Sequence, residues 1–280
     1  MANETLKGAL YIVATPIGNL SDISERAKKV LNEVDFIAAE DTRISGLLLS
    51  KYEIKKPIFN YFEHNKISAG RKIIEKLLQN LSCALVTDAG TPAISDPGTE
   101  LCALAHEKGI PVIPIPGPCA AVTALCASGF YSRRFVFEGF LPQDKTKVDV
   151  LDSVSAEKRT IIFYEAPHRI LKTLTELSQC LGNRKICLAR ELTKLNEQIK
   201  ITTFSDAISH YSENEPKGEF VIIIEGKKEE APFWESLSAE QHVEFYIKNG
   251  LSKMDAIKAC AKDRGVSKNT IYKQMIENDK

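Results

Sequence analysis

"LVTDAGTPAISDPG", residues 85–98, decides how this chain of 280 residues is read. An apolar run stops abruptly in Asp, Gly, Pro, Ser and Thr, a density of turn formers that marks a shaped loop at a strand end. No G-K-[ST] follows a glycine loop and no G-x-G-x-x-G occurs anywhere, so neither a P-loop nor a dinucleotide fingerprint is supported. A neutral polar loop of this kind suits a nucleoside better than a triphosphate. Two more such loops follow apolar runs: "ATPIGNL" (14–20) after 8–13, and "PGPCAAV" (116–122) after 111–115. Ligands of α/β sheets bind beyond the carboxyl ends of strands, so three loops of this type are expected to form one pocket rim. A plain strand-to-helix turn would account for one of them but less well for three.

Outward from these loops, short apolar runs alternate with segments of helical period, which is the pattern of an α/β protein. Strands are expected at 8–15, 34–39, 57–61, 83–87, 111–115, 134–140, 159–164, 185–190, 198–204 and 219–225. "SDISERAKKVLNEV" places Ile23, Ala27, Val30, Leu31 and Val34 on one face, with Ser21 to cap. In "DPGTELCALAHEKG", Asp96 caps, Pro97 suits the first turn and Gly109 stops the helix. "PHRILKTLTELSQCLG" repeats the design, with Ile170, Leu171, Leu174, Leu177 and Leu181 inward and Gly182 at its end. Phe135, Phe137 and Phe140 alternate as in a strand, so at least two are expected in the core, leaving one of them, Tyr131 or Phe62 to stack on a base.

The pattern changes after 225. "EGKKEEAPFWESLS" has no periodicity and reads as a linker. Beyond it, Ser238 with Gln241 and Ser252 with Asp255 form capping boxes, and "DRGVS" separates helices near 252–264 and 268–278 in a helix-turn-helix outline. Between Lys248 and Lys273 seven Lys or Arg face two Asp, enough to favour a phosphate backbone, although a solvated helix face would look the same. The expected domains are therefore 1–118 and 119–226, both α/β, a linker at 227–237 and a small basic helical domain at 238–280.

Composition narrows the functional classes. Lys plus Arg and Asp plus Glu stand at 37 each, so a nucleic-acid partner must be met by a local patch. No long apolar span and no signal segment appears, and a cytoplasmic protein without a membrane partner is expected. The seven cysteines are scattered, without C-x-x-C, and the five histidines form no ligand motif, so reduced core thiols and no metal are expected.

Taken in order and spacing, "LYIVATPIGNLSDISERAKKVLNEVDFIAAEDTRISGLL", "VTDAGTPAISDPG", "PIPGPCAAVTAL", "FEGFLP", "FYEAPHRI", "ARELTK" and "GEFVIIIEG" resemble the ribosomal RNA small-subunit methyltransferase I family, within the tetrapyrrole methylase superfamily. The resemblance runs from about residue 8 to 226, and the basic tail is similar to the helical domain such proteins carry. It implies a two-domain fold with S-adenosyl-L-methionine in the interdomain cleft, a homodimer, and 2'-O-methylation of a cytidine ribose in the decoding region of small-subunit ribosomal RNA, naked or in the assembled subunit. It also implies cofactor contacts from Ile17, from Asp88, Ala89, Gly90, Thr91, Pro92 and Ile94, from Pro118, Cys119 and Ala120, and from Tyr164, Glu165, Ala166 and Pro167. The family's third loop reads P-G-P-S-A, so Cys119 replaces a serine and leaves only a weak thiol donor.

A sulfonium already carries an activated methyl group, so the enzyme's main task is alignment, with a base helping the hydroxyl lose its proton late. Asp41, Arg43 and Arg169 are the catalytic candidates, and Glu40, Lys194, Lys253, Lys262, Arg264 and Lys268 are the candidates for the substrate. Asp41 is equally well placed to cap a helix and pair with Arg43, and Arg169 and Lys194 are as easily structural. His168 reads as a helix-start residue. Two other functions stay open: methylation of a porphyrin-like or corrin-like molecule, and a silent RNA-binding or ribosome-assembly factor.

Overall fold

The computed structural model describes residues 5–228 and 232–277. Residues 1–227 form one unit and 228–280 another. The first unit holds two five-stranded sheets. One is built from β1 (Leu10–Val13), β2 (Phe36–Ala39), β3 (Ile58–Asn60), β4 (Cys83–Val86) and β5 (Val112–Ile115), all parallel in the order β3-β2-β4-β1-β5. The helices that connect them are α1 (Glu25–Glu33), α2 (Thr42–Lys51), α3 (Lys66–Leu78) and α4 (Thr99–Glu107). A parallel sheet covered on both faces needs apolar residues in both directions, and "FIAA" and "CALV" are buried throughout.

The second sheet is mixed. β6 (Phe135–Phe140) and β7 (Thr160–Glu165) run parallel, while β10 (Phe220–Ile224) is antiparallel to β7 and to β8 (Lys185–Arg190), whose other neighbour is β9 (Gln198–Thr203). Ile161, Phe163, Ile186, Leu188, Ile222 and Ile224 point to the face covered by α6 (Thr146–Ser155), α7 (Ile170–Leu181) and α8 (Phe204–Glu213). Their alternate neighbours Ile162, Cys187, Ala189, Val221 and Ile223 meet Ala121, Ala124 and Leu125 of α5 (Ala120–Ser128) on the other. The chain therefore crosses between the sheets in the loop 116–119, which also belongs to the site.

Each expected strand is present, and three local expectations need correcting. Ser24, not Ser21, caps α1, its Oγ accepting from Ala27 N at 3.1 Å; Ser21 lies in a 3-10 turn, Leu20–Asp22, capped by Asn19. α4 begins at Thr99 behind Gly98, so Asp96 is no cap and its carboxyl is free for the site. Phe135 and Phe140 are exposed and Phe137 is half-buried; a bulge between Phe137 and Gly139, with Gly139 at φ +65°, brings Phe140 to the face of Phe135 and Phe137, but β6 is an edge strand and that face is not fully covered.

The second unit packs α9 (Ala239–Lys248), α10 (Lys253–Asp263) and α11 (Lys268–Glu277) around Val243, Ile257, Cys260 and Ile271. Ser238 and Gln241 complete the capping box, and Ser252 Oγ accepts from Asp255 N. The end of the expected linker belongs to this unit: Phe233 packs on Phe245 with centroids 4.3 Å apart, and Trp234 stacks on His242 at 5.6 Å. Two adjacent aromatic rings outweigh a charged, aperiodic context.

Candidate active site

Because β1, β2, β4 and β5 are parallel, the loops that follow them leave the same edge of the sheet, and hydrogen bonds join three of these loops. Thr15 N donates to Gly90 O at 2.8 Å and Gly90 N returns a bond to Thr15 O at 3.1 Å, a one-residue antiparallel bridge. The buried Thr15 Oγ1 donates to Thr87 O at 3.1 Å, and Thr91 Oγ1 donates to Pro118 O at 2.9 Å. A Cβ on Gly117 would lie 2.9 Å from that of Ala14, so only glycine lets the first and third loops approach this closely. The first loop is also tied to the second sheet, with Asn19 N donating to Thr193 Oγ1 at 3.1 Å. A Cβ on Gly18 would sit 2.5 Å from Lys194 Cγ, which explains that glycine too.

Between these loops and the second sheet lies a cavity of about 350 Å³, within the range that takes a small-molecule ligand. Ile17, Asp88, Ala89, Gly90, Thr91, Ile94, Cys119, Ala120, Tyr164, Glu165 and Ala166 line it, as do the substrate candidates Glu40 and Lys194. Pro92, Pro118 and Pro167 do not, although the carbonyl of Pro118 anchors Thr91. Thr87, Ser95, Asp96, Ala189, Leu192, Glu219, Phe220 and Val221 also line the cavity and were missed, and Phe140, one of the stacking candidates, lines it too. "ARELTK" and "GEFVIIIEG" already flagged some of them, but not that β8 and β10 would face the loops.

One wall is acidic. Thr87 Oγ1 donates to Glu40 Oε2 at 3.1 Å, and Asp88 Oδ1 accepts from Asp41 N at 3.2 Å. Burial is the main reason the carboxyls of Glu40 and Asp88 are pushed up, and repulsion adds to it, from Asp88 and Asp41 on Glu40 and from Asp41 on Asp88. Asp96 is moved furthest, from 3.8 to about 6, first by burial and then by the charge of Glu40. Any cation in this corner relieves all three. The opposite wall is apolar and aromatic, with Tyr164 edge-on to Phe137 and Phe140 at 4.9 and 5.7 Å. The Tyr164 hydroxyl accepts from Ala121 N at 3.0 Å, and burial raises its pKa. Cys119 stands at the N-cap of α5 without a side-chain cap bond, and its thiol contacts the Tyr164 hydroxyl instead.

The other candidates are engaged locally. Asp41 caps α2: its Oδ1 accepts from Arg43 N at 2.8 Å and its Oδ2 pairs with Arg43 Nη2 at 2.6 Å, and these bonds hold its carboxyl down to about 2. The Arg43 side chain is 88% exposed. Arg169 Nη2 donates to Leu141 O at 2.5 Å, and its Nε lies 3.1 Å from Oε1 of the fully buried Glu165. Glu165 Oε2 accepts from Thr173 Oγ1 at 2.6 Å, which locks the turn between β7 and α7. Lys194 pairs with Glu191 at 2.8 Å and Glu219 at 2.9 Å; burial works against its charge, but the two carboxylates outweigh it and raise its pKa. In the second unit Lys253, Lys262 and Lys268 are exposed. Arg264 instead donates to Leu237 O at 2.5 Å and to His242 Nδ1 at 3.2 Å, and lies over the Trp234 ring. Among the described residues no metal-ligand cluster occurs and no helix is long and apolar enough to cross a membrane.

The family described as Tetrapyrrole (Corrin/Porphyrin) Methylases matches residues 9–208. A protein named Ribosomal RNA small subunit methyltransferase I from Halalkalibacterium halodurans is 49% identical over 95% of this chain and 94% of its own. The chain belongs to the ribosomal RNA small subunit methyltransferase I family. The namesake from Haemophilus influenzae is 54% identical over 79% of this chain and 80% of its own. The crystal structure of diphthine synthase is 16% identical with a TM-score of 0.63, over 79% of this chain and 91% of that one, a likeness of fold alone. As a member of the methyltransferase I family the chain is a methyltransferase, and S-adenosyl-L-methionine is its methyl donor. The cavity fits that donor: it offers apolar walls for an adenosyl group and an acidic corner for a sulfonium.

Proposed function

We propose that this methyltransferase modifies the ribose 2'-hydroxyl of a cytidine in the decoding region of small-subunit ribosomal RNA, working as a homodimer in the cytoplasm. The observation that carries this is the likeness to the Halalkalibacterium halodurans protein, 49% identical over 95% of this chain, a span that takes in the three loops and most of the helical tail. When bound, the donor supplies an electrophilic methyl group, which needs no covalent enzyme intermediate.

The chain's own residues then have three tasks. The bridged loops hold the cavity's shape before any ligand arrives, so the alignment entropy, several kcal/mol, is met by folding. Asp96 takes the proton of the hydroxyl, since a carboxyl at about 6 is the wall group whose basicity best matches neutral pH. Arg43, exposed at the rim and held by Asp41, meets RNA phosphate, and the exposed Lys253, Lys262 and Lys268 give the second unit phosphate contacts of its own. In this reading Arg169 positions the turn that carries Tyr164 to Pro167, and Lys194 spans Glu191 and Glu219.

The test incubates the protein and labelled donor with small ribosomal subunits, naked small-subunit RNA or a tetrapyrrole. Ribose methylation is then mapped by resistance of the adjoining phosphodiester to alkali. Label in RNA at an alkali-resistant cytidine is expected; label in the tetrapyrrole alone, or on a base, overturns the proposal.

A further inference from the structure

On the other face of β8 from the donor cavity lies a second pocket, of about 60 Å³, closed by β9 and α8. The two sites are separate: Ala189 lines the large cavity, whereas Leu188 and Arg190, its neighbours, line the small one. The polar side chains of the small pocket are Arg190, Gln198, Lys200, Thr202, His210 and Tyr211, all able to donate a hydrogen bond, and none of its described lining residues is acidic. Arg190 Nε is shielded from water and has no hydrogen-bond partner. Buried polar groups are rarely left so, least of all on a guanidinium. Glu191, whose carboxyl Arg190 helps to hold down, is already engaged by Lys194 Nζ at 2.8 Å and Glu219 N at 3.0 Å. Among the described residues neither Arg190 nor Lys200 has an ion-pair partner.

We propose that this pocket binds a phosphate group. Its volume equals about two water molecules at ~30 Å³ each, enough for one tetrahedral oxyanion but not for a nucleoside. The guanidinium supplies a planar fork that matches a phosphate edge, and Lys200, on the edge strand β9, supplies a second cation. The phosphate comes from the backbone of an RNA strand or from solution.

The full-length protein, with histidine labelled by nitrogen-15 in a buffer without phosphate or sulfate, is titrated with inorganic phosphate. A saturating shift of the His210 resonance is expected, abolished by Arg190→Gln and moved to about tenfold higher phosphate by Lys200→Gln, the loss of one charge-assisted bond. No shift, a shift that never saturates, or the same titration in Arg190→Gln overturns the proposal. Lys200→Gln alters only an exposed side chain and keeps the test decisive should Arg190→Gln fold poorly. The salt dependence of binding to small-subunit RNA distinguishes the sources. A slope reduced by about one in Lys200→Gln assigns the phosphate to RNA, and an unchanged slope beside an altered phosphate titration assigns it to solution. Neither readout requires methyl transfer, so failure here and failure of the cytidine assignment are separate results.

Discussion

Replacing Asp96 by Asn should make the protein more stable and the enzyme slower. A carboxyl moved from 3.8 to about 6 by burial and by Glu40 is disfavoured as an anion in the folded state by about 2 kcal/mol, once solvent screening of this part-exposed group is allowed for. Below pH 4 the group is protonated whether the chain is folded or not, so nothing is lost. As pH rises from 4 to 6 the unfolded chain ionises freely and the folded one does not, so stability falls, and above 6 the deficit is constant. Asparagine stays neutral throughout. Asp96→Asn should therefore gain about 2 kcal/mol at pH 7.5, roughly 4 to 8 °C in Tm for a unit of this size, and nearly nothing at pH 4. Far-UV circular dichroism is the right probe. The single tryptophan, Trp234, lies in the 228–280 unit and reports on that unit instead. An equal gain at both pH values, or none at pH 7.5, refutes the electrostatic reasoning. If Asp96 also takes the proton, methyl transfer at pH 7.5 falls by about a hundredfold in the stabilised variant. Full activity would dismiss Asp96 as the base and leave the stability argument standing.

Asp88→Ala removes the acceptor of Asp41 N, through which the second loop holds the end of β2; donor affinity measured by calorimetry should fall at least about tenfold, and unchanged affinity would remove that carboxyl from the site. Arg169→Ala leaves the buried Glu165 carboxylate without its cation and should cost about 3–5 kcal/mol in urea unfolding, whereas Arg169→Lys should restore part of it; a stable alanine variant would show that the pair does not hold the turn. Deleting residues 236–280 should weaken capture of ribosomal RNA and flatten its salt dependence while donor affinity stays the same, and undiminished activity on subunits would show the tail to be dispensable.

The sequence made the fold legible because burial on both faces writes strands as unbroken runs such as "FIAA" and "FVIII". The three loops were legible for a related reason: close backbone approach demands glycine, as at Gly18 and Gly117, and glycine is visible in a sequence. What stayed hidden depended on contacts between distant segments. Asp96 looked like a cap beside Pro97, and only its burial and the neighbourhood of Glu40 make it a strained acid. Ala189, Phe220 and Val221 look like ordinary core residues, and nothing local says that the strands they sit on form a cavity wall. Cations mislead most. Arg264 and Lys194 stand among residues that suggest RNA, yet their charges are largely met by Leu237 O and by the Glu191–Glu219 pair.

The position of β10 bears on how the protein is made. It is the last strand of its sheet to be synthesised, yet it lies at the centre, flanked by β7 and β8. Until residues 220–224 have left the ribosome, the earlier strands β6 and β7 cannot join β8 and β9, and the donor cavity has no floor. A prematurely terminated chain ending before Phe220 is thus not a weaker enzyme but two unjoined pieces with unpaired edges, the kind of product that quality control removes.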